Sequence, residues 1–420
     1  MKTTGIIAEY NPFHNGHKYH IEEARRVTGA DYVIAVISGD FVQRGAPAIA
    51  DKYLRAKAAL LNGADLALEL PVLYATGSAE YFAAGAVTLL DRLGVVDSLC
   101  FGSECGSIPH LSAIASLLAR EPELYRRTLQ TRLKHGCSFP NARNAAIEAC
   151  YANAAFPPSL LSSPNNILGI EYIKMLLKRN SSIIPYTIKR KGRGYHDSAL
   201  EPLEAFCSAT AIRKVLTAKK PHTSAVSSLS SVRPYLPDSV SALLGHALGK
   251  SFPICKDDFS SLLHYKLLQE MSDGFCRYLD ISADLSDKIC RNIYAFSGYG
   301  PFCRLLKSKD ITYSRISRGL LHILLDVTQE QLEEYARRDY IAYARILGLR
   351  RSASPLLKKI KQNASVPLLS KLADAPRLLS PSGLAMLKQD IHTAHIYESI
   401  AAAKFHAPFQ NEYARQLAVL

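Results

Sequence analysis

Two histidines three residues apart, with a glycine between them, are the side chains of this sequence best suited to chemistry. His14 and His17 follow the apolar run from Thr4 to Ala8 and open a stretch of helical composition. The first turn of a helix attracts anions through its free N–H groups, and Gly16 lets a phosphate approach the backbone. Two imidazoles there can donate hydrogen bonds where charge develops during nucleotidyl transfer. The pattern predicts a phosphate site. A surface loop or a metal pair is the alternative, although no third metal ligand stands at a suitable spacing.

The elements that must position this loop alternate between strand and helix patterns through the first half of the chain. Runs rich in Val and Ile predict buried strands at Thr4–Ala8, Asp31–Ser38, Asp65–Leu70, Ser98–Phe101 and Ile183–Ile188. Helices are predicted between them, at His17–Thr28, Asp51–Leu61 and Ser78–Leu93. Repeated βα units predict an α/β fold with a doubly wound parallel sheet. Such sheets bind ligands at the carboxyl ends of their strands, where the two histidines stand.

The second half of the chain has a different character from about residue 216. Strand patterns fade, and Leu-rich segments predict helices at Ile316–Leu325, Gln329–Ala342 and Pro367–Leu372. The stretch from Pro221 to Pro237 is rich in Ser and Pro and is the best candidate for a linker. We therefore expect two domains, a nucleotide-binding α/β domain over residues 1–219 and a mainly α-helical, basic domain over residues 220–420.

Composition and charge narrow the class of protein. No apolar run approaches the roughly 20 residues of a membrane-spanning helix, and the first nine residues do not resemble a signal peptide, so we expect a cytoplasmic protein. The nine scattered cysteines form no Cys-x-x-Cys pair, which argues for reduced thiols rather than a zinc ribbon. The net charge is +14, and residues 216–420 contribute 27 − 18 = +9 of it. Excess positive charge favours polyanionic partners.

Two segments resemble the signatures of a known superfamily. His14-Asn15-Gly16-His17 resembles the HxGH motif of the adenylyltransferase-like superfamily, which includes pantothenate synthetase and class I aminoacyl-tRNA synthetases. The second signature, a helix start rich in Ser and Thr that ends in Arg, resembles the run from Ser208 to Arg213, after the fifth predicted strand. The hydroxyls and guanidinium of this run would hold the β- and γ-phosphates. An ordinary helix cap at Ser208 is the alternative.

A closer resemblance extends over nearly the whole chain. It is carried by the segments Ile37–Gly45, Glu69–Pro71, Ala75–Glu80, Ser163–Tyr172 and Ile188–Gly192, and more loosely by Ile311–Arg315. Together they are similar to the bacterial tRNA(Met) cytidine acetate ligase family. The resemblance implies an enzyme that adenylates acetate with ATP. It then passes the acetyl group to the wobble cytidine of elongator tRNA(Met), giving N4-acetylcytidine.

The resemblance also implies which residues bind ATP, with Mg²⁺ as the companion of the nucleotide and without an all-protein metal site. These are Ile7, Ala8, Glu9, Tyr10, Asn11, Pro12, Phe13, His14, Asn15, Gly16, His17, Lys18, Tyr19, His20, Gly102, Asn165, Arg190, Ser208, Thr210 and Arg213. His14, His17 and Asp40 are the candidate catalytic residues. A strand-end turn at Gly102, a helix cap at Asn165 and a turn-forming role for Asp40 are the alternatives.

We expect the tRNA to bind basic residues of the second half. The alternative is that these residues only form a solvated helix face. The candidates are Arg315, Arg350, Arg351, Lys358 and Lys359, and a second patch comprises Lys307, Lys309, Arg315 and Arg318. Two other functions stay open. One is a nucleotidyltransferase that joins a nucleotide to a phosphorylated small molecule without RNA. The other is a non-catalytic RNA-binding or ATP-sensing protein. The oligomeric state is open as well.

Overall fold

A computed structural model describes residues 1–151, 160–190, 207–218, 225–309 and 311–420. Its strands are β1 (Thr3–Ala8), β2 (Tyr32–Ser38), β3 (Phe41–Val42), β4 (Ala46–Pro47), β5 (Leu66–Leu70), β6 (Ser98–Ser103), β7 (Ile184–Lys189), β8 (Ala344–Leu349), β9 (Leu368–Leu369) and β10 (Ala418–Val419). All five strands predicted in the first half are present within two residues of their expected bounds. The predicted α/β fold is confirmed.

Helices fill most of the remaining described chain. In the first half they are α1 (Asn15–Thr28), α2 (Lys52–Leu61), α3 (Val72–Ala75), α4 (Ala79–Arg92), α5 (Ile108–Arg120), α6 (Glu123–Lys134), α7 (Phe139–Cys150), α8 (Pro164–Lys178) and α9 (Ala209–Leu216). Those that follow are α10 (Ala225–Val232), α11 (Asp238–Ala247), α12 (Ser260–Glu270), α13 (Ala283–Asn292), α14 (Tyr299–Leu306), α15 (Tyr313–Leu324), α16 (Gln329–Arg337), α17 (Ser354–Asn363), α18 (Ala375–Leu378) and α19 (Pro381–Phe405). Among the described residues, no helix has both the length and the apolar character needed to cross a bilayer.

The main sheet has the strand order β10-β8-β5-β2-β1-β6-β7, with β9 paired to β8. β1, β2, β5, β6 and β7 run parallel, so their carboxyl ends meet at one edge. Helices cover both faces. α1 and α2 pack on one face with Ile6 and Val33, whereas α4 and α8 pack on the other with Ile7 and Leu99. The edge between these layers is where the histidine loop emerges.

The second half differs from its prediction in three places. β8, β9 and β10 extend the sheet of the first half, and β9 occupies the middle of the segment predicted as a helix at Pro367–Leu372. β8 also pairs antiparallel with β5, so the sheet is not wholly parallel. The predicted linker contains α10, and its beginning at Pro221 lies outside the described residues. The sheet crosses the predicted boundary between residues 1–219 and 220–420, and that division stays a prediction.

The physical reason for the missed strand lies in its long-range partners. β8 contains one β-branched residue, Ile346, and carries Arg345, which is only 3% exposed. Arg345 is compensated by Glu69 and Glu412, which lie hundreds of residues apart in sequence. Gly348 allows β10 to pack closely against β8, because a Cβ at this position would come within 2.7 Å of the Ala418 carbonyl oxygen. None of these contacts leaves a local periodic pattern.

Candidate active site

The loop between β1 and α1 brings His14 and His17 together as stacked rings, with centroids 3.8 Å apart. His14 is the N-cap of α1, and its Nδ1 accepts a hydrogen bond from Gly16 N at 3.0 Å. His17 Nδ1 accepts from His14 N at 3.2 Å. A neutral imidazole whose Nδ1 accepts carries its proton on Nε2. Both rings are therefore set to donate from Nε2.

Burial keeps this histidine cluster neutral. It lowers the pKa of His14 to about 3, with smaller contributions from the charges of Arg190 and Arg213. The pKa of His17 also lies well below its usual value, first because of burial and then because of the neighbouring charges. Burial, and then the charge of Arg190, lowers the pKa of His20 to about 4. Three uncharged imidazoles thus follow one another at intervals of three residues from the N-cap of α1, next to the guanidinium groups of Arg190 and Arg213.

The second predicted signature reaches the same loop. Ser208 caps α9, since its Oγ accepts from Ala211 N at 3.1 Å, so the helix-cap role is realised together with a place in the cavity lining. Arg213 donates from Nη2 to Thr210 Oγ1 at 3.1 Å and from Nη1 to the carbonyl oxygen of Asn11. Arg213 therefore ties the start of α9 to the histidine loop.

These residues line a cavity of about 510 Å³ at the carboxyl ends of the parallel strands. It contains sixteen of the predicted ATP-binding residues: Ile7, Ala8, Glu9, Tyr10, Asn11, His14, Gly16, His17, Tyr19, His20, Gly102, Asn165, Arg190, Ser208, Thr210 and Arg213. Four lie outside its lining. Phe13 is buried in the core, Pro12 follows Asn11 in the loop, Asn15 donates to the Pro234 carbonyl oxygen, and Lys18 pairs with Glu22 on the surface. Lys191 and Gly192, which belong to the segment Ile188–Gly192 of the family resemblance, lie outside the described residues.

Asp40 also lies outside the cavity lining. Its Oδ1 accepts from Lys52 N at 2.8 Å, and its Oδ2 is 3.8 Å from Lys52 Nζ. Burial raises the pKa of Asp40 to about 7. Lys52 Nζ in turn contacts Glu69 at 2.7 Å and Glu412 at 2.6 Å. The geometry favours a structural role for Asp40 in this buried ion cluster.

No sequence pattern indicated the residue that orients Asn165. Glu104 follows β6, and its Oε1 accepts from the Asn165 side-chain amide at 2.7 Å. Its Oε2 accepts from Asn166 N at 2.9 Å, and Asn166 Oδ1 accepts from Glu104 N at 3.0 Å. The carboxylate thus binds backbone N–H groups in the first turn of α8, a favourable place for negative charge. It also directs the Asn165 amide group.

Further cavity residues come from segments that the sequence analysis did not assign to the ATP site. Gln43 and Arg44 follow β3, and Ser314 and Arg318 come from α15 in the second half. Gly45 makes this junction possible, because it has φ +67° and a Cβ there would come within 2.3 Å of Arg318 N. The resemblance of the Ile37–Gly45 segment was a signal for the contribution of Gln43 and Arg44. α15 lies about 270 residues further along the chain, so no local pattern could connect it with that segment.

The predicted tRNA-binding residues lie in two separate places. Because β8 is antiparallel to β5, its carboxyl end lies at the edge of the sheet opposite the cavity, and Arg350 donates from its backbone N to the Asp65 carbonyl oxygen there. Arg351 follows there, with its backbone N donating to the Leu420 carbonyl oxygen, and Lys358 and Lys359 lie further along on α17. Arg315 is exposed on α15, one turn before the cavity residue Arg318.

Comparisons with known proteins show the family of this chain. The family model described as HIGH Nucleotidyl Transferase matches residues 1–412. A tRNA(Met) cytidine acetate ligase from Thermoanaerobacter sp. (strain X514) is 40% identical over 415 residues, 97% of this chain and 99% of that protein. One from Acetivibrio thermocellus is 39% identical over 397 residues, 94% of each. The crystal structure of Thermotoga maritima TmcAL bound with alpha-thio ATP is 32% identical, with a TM-score of 0.90 and full coverage of both chains. This chain therefore belongs to the HIGH nucleotidyltransferase family and, within it, to the tRNA(Met) cytidine acetate ligases.

Proposed function

We propose that this chain adenylates acetate with ATP and transfers the acetyl group to the wobble cytidine of elongator tRNA(Met), forming N4-acetylcytidine. The observation that carries the proposal is the convergence of the two signature segments on one cavity. Neutral imidazoles from the start of α1 and guanidinium groups of Arg190 and Arg213 line the same space. That arrangement suits a polyphosphate, which needs positioning and charge stabilisation rather than a protein nucleophile.

In the first step, a carboxylate oxygen of acetate attacks the α-phosphorus of ATP and pyrophosphate leaves. The Nε2–H groups of His14 and His17 donate to the phosphate oxygens on which charge increases, and Arg213 neutralises the departing pyrophosphate. Ser208 and Thr210 add hydroxyl contacts near the start of α9. In the second step, the exocyclic amine of the cytidine attacks the acetyl carbonyl carbon and AMP leaves.

The residues that line the cavity also indicate how Mg²⁺ would bind. Among the described residues, no group of three or more His, Cys, Asp or Glu side chains is arranged to hold a metal, and Glu9 is the sole carboxylate of the described cavity lining. Magnesium prefers phosphate oxygens and water to a dedicated protein cage. We therefore propose that Mg²⁺ enters with ATP and supplies charge neutralisation on the phosphates.

The alternative substrate, a phosphorylated small molecule, would need cations at the acceptor side of the cavity. On the α4 and α8 side the lining includes the apolar residues Ala79, Phe82, Phe101, Leu168 and Tyr172, next to Glu9. The cations Arg44 and Arg318 enter the lining from the β3–β4 turn and from α15. An apolar wall beside a carboxylate disfavours a second phosphate, whereas it suits an uncharged nucleobase. We further propose that tRNA approaches over α15, where Arg315 and Arg318 lie, and that the protein acts in the cytoplasm.

Acetate-dependent exchange of pyrophosphate into ATP, measured without tRNA, tests the first step. We expect exchange with acetate and its loss by roughly a hundred- to thousand-fold in His14→Ala and His17→Ala, the usual cost of removing an oxyanion-type donor. ATP affinity should change less. The exposed His246 provides the control variant His246→Ala. Exchange that requires a phosphorylated acceptor instead of acetate would favour the alternative function.

A further inference from the structure

Glu9 stands on the opposite side of the sheet from the histidines. Side chains alternate along β1, so that Ile6 and Ala8 contact the α1 side while Ile7 contacts the α4 and α8 side. Glu9 continues the second series. Tyr172 of α8 reports the same placement, because its pKa is raised first by burial and then by the charge of Glu9.

The carboxylate of Glu9 is held in one orientation. Its Oε1 accepts a hydrogen bond from Gln43 N at 3.0 Å. Its backbone carbonyl oxygen accepts from Arg55 Nη1 at 2.7 Å, and Arg55 also donates to the Ser38 carbonyl oxygen at 3.0 Å. Since Arg55 is 1% exposed, this clamp is part of the core. Glu9 therefore presents a fixed acceptor to the cavity.

The surface beside Glu9 is apolar and largely aromatic. Phe101 and Tyr172 lie edge to face with centroids 5.6 Å apart, and Ala79, Phe82 and Leu168 complete the wall. Aromatic surfaces of this kind stack nucleobases, and enzymes that act on a base take it out of its stack into such a pocket. The exocyclic amine of cytosine is a donor, which glutamate recognises by accepting from it.

We propose that this wall is the subsite for the acceptor cytosine and that Glu9 faces its exocyclic amine and takes its proton. The inference rests on the proposed function, in which a cytidine receives the acetyl group. During transfer, the bond from N4 to the acetyl carbon forms, the bond from that carbon to the AMP oxygen breaks, and the N4 proton passes to the Glu9 carboxylate. A positioned base is needed because the N4 lone pair is delocalised into the ring and gains nucleophilicity only as the proton leaves.

The test separates the two half-reactions in the full-length protein. Glu9→Gln keeps an oxygen for Gln43 N but cannot take a proton, and Glu9→Asp keeps the carboxylate. Three quantities are measured: acetate-dependent pyrophosphate exchange without tRNA, transfer from added acetyl-AMP to tRNA in a single turnover, and tRNA affinity. Glu22→Gln makes the same chemical change at an exposed position of α1 and is the matched control.

We expect transfer in Glu9→Gln to fall at least about a hundred-fold further than exchange does, because a general base of this kind acts only in the transfer step. Glu9→Asp should recover part of the transfer rate, and tRNA affinity should stay within about two-fold because phosphate contacts dominate it. Transfer that falls no further than exchange would overturn the inference and return Glu9 to the ATP site. Failure of the unaltered protein to acetylate tRNA would instead overturn the proposed function, and this inference with it.

Discussion

At the scale of single residues, the histidine cluster works because burial removes its charge. Positive imidazoles beside Arg190 and Arg213 would repel one another, whereas the neutral rings of His14 and His17, whose Nδ1 atoms accept, can both donate from Nε2. Buried neutral histidines have a consequence for stability, because the unfolded chain protonates them at an ordinary pKa of about 6.5. Below that pH the unfolded state binds more protons than the folded state.

The cluster therefore predicts acid sensitivity. Since the folded pKa of His20 is about 4, its contribution to the free energy of unfolding is complete above pH 6.5 and is lost as the pH falls toward 4. Between pH 7.5 and 5, the unaltered protein should lose roughly 2 kcal/mol more stability than His20→Asn. Urea denaturation at the two pH values measures this difference, with His246→Asn as the exposed control. An equal loss in both proteins would show that His20 is protonated in the folded state.

At the scale of elements, the start of α8 is positioned by the carboxylate of Glu104. In the unaltered protein, both carboxylate oxygens of Glu104 accept hydrogen bonds, from the Asn165 side chain and from Asn166 N. Glu104→Gln replaces one of these oxygens with an NH₂ group, which cannot accept, so the Asn165 amide should lose its orientation. We expect the KM for ATP in the exchange reaction to rise about ten-fold, near 1.4 kcal/mol, with a smaller effect on kcat. Glu148→Gln, exposed on α7, is the control. If kcat and KM for ATP were both unchanged, Glu104 would have no role in holding the nucleotide.

Elements with local signals were predictable, and those with distant partners were not. β1 and β2 are largely apolar runs, and α1 has a helical composition that ends at Gly29, so the histidine loop between them could be placed from sequence. The cap at His14 was not predicted. β8 was missed because its buried arginine makes sense only beside Glu69 and Glu412. The same limit applies to the site, where Arg318 enters the cavity from α15 and leaves no trace near the histidine motif.

At the scale of the whole molecule, the buried ion cluster joins the two halves of the chain. Lys52 and Glu69 come from the first half, and Arg345 and Glu412 from the second, with contacts of 2.6–2.9 Å. Removing one member leaves buried charge uncompensated, so Glu412→Ala should lower the free energy of unfolding by about 3–5 kcal/mol. Lys404→Met breaks a partly exposed pair and should cost less than about 1 kcal/mol. Equal, small losses in both variants would show that the cluster does not hold the halves together.

The most direct test of the account follows the acetyl group itself. The protein is incubated with ATP, labelled acetate and elongator tRNA(Met), and the tRNA is digested to nucleosides. The account predicts label in N4-acetylcytidine, with one AMP and one pyrophosphate formed for each acetyl group, and loss of label in His14→Ala and His17→Ala. Label that remains in acetyl-AMP or passes to a small phosphorylated molecule, with unmodified cytidine in the tRNA, would contradict it.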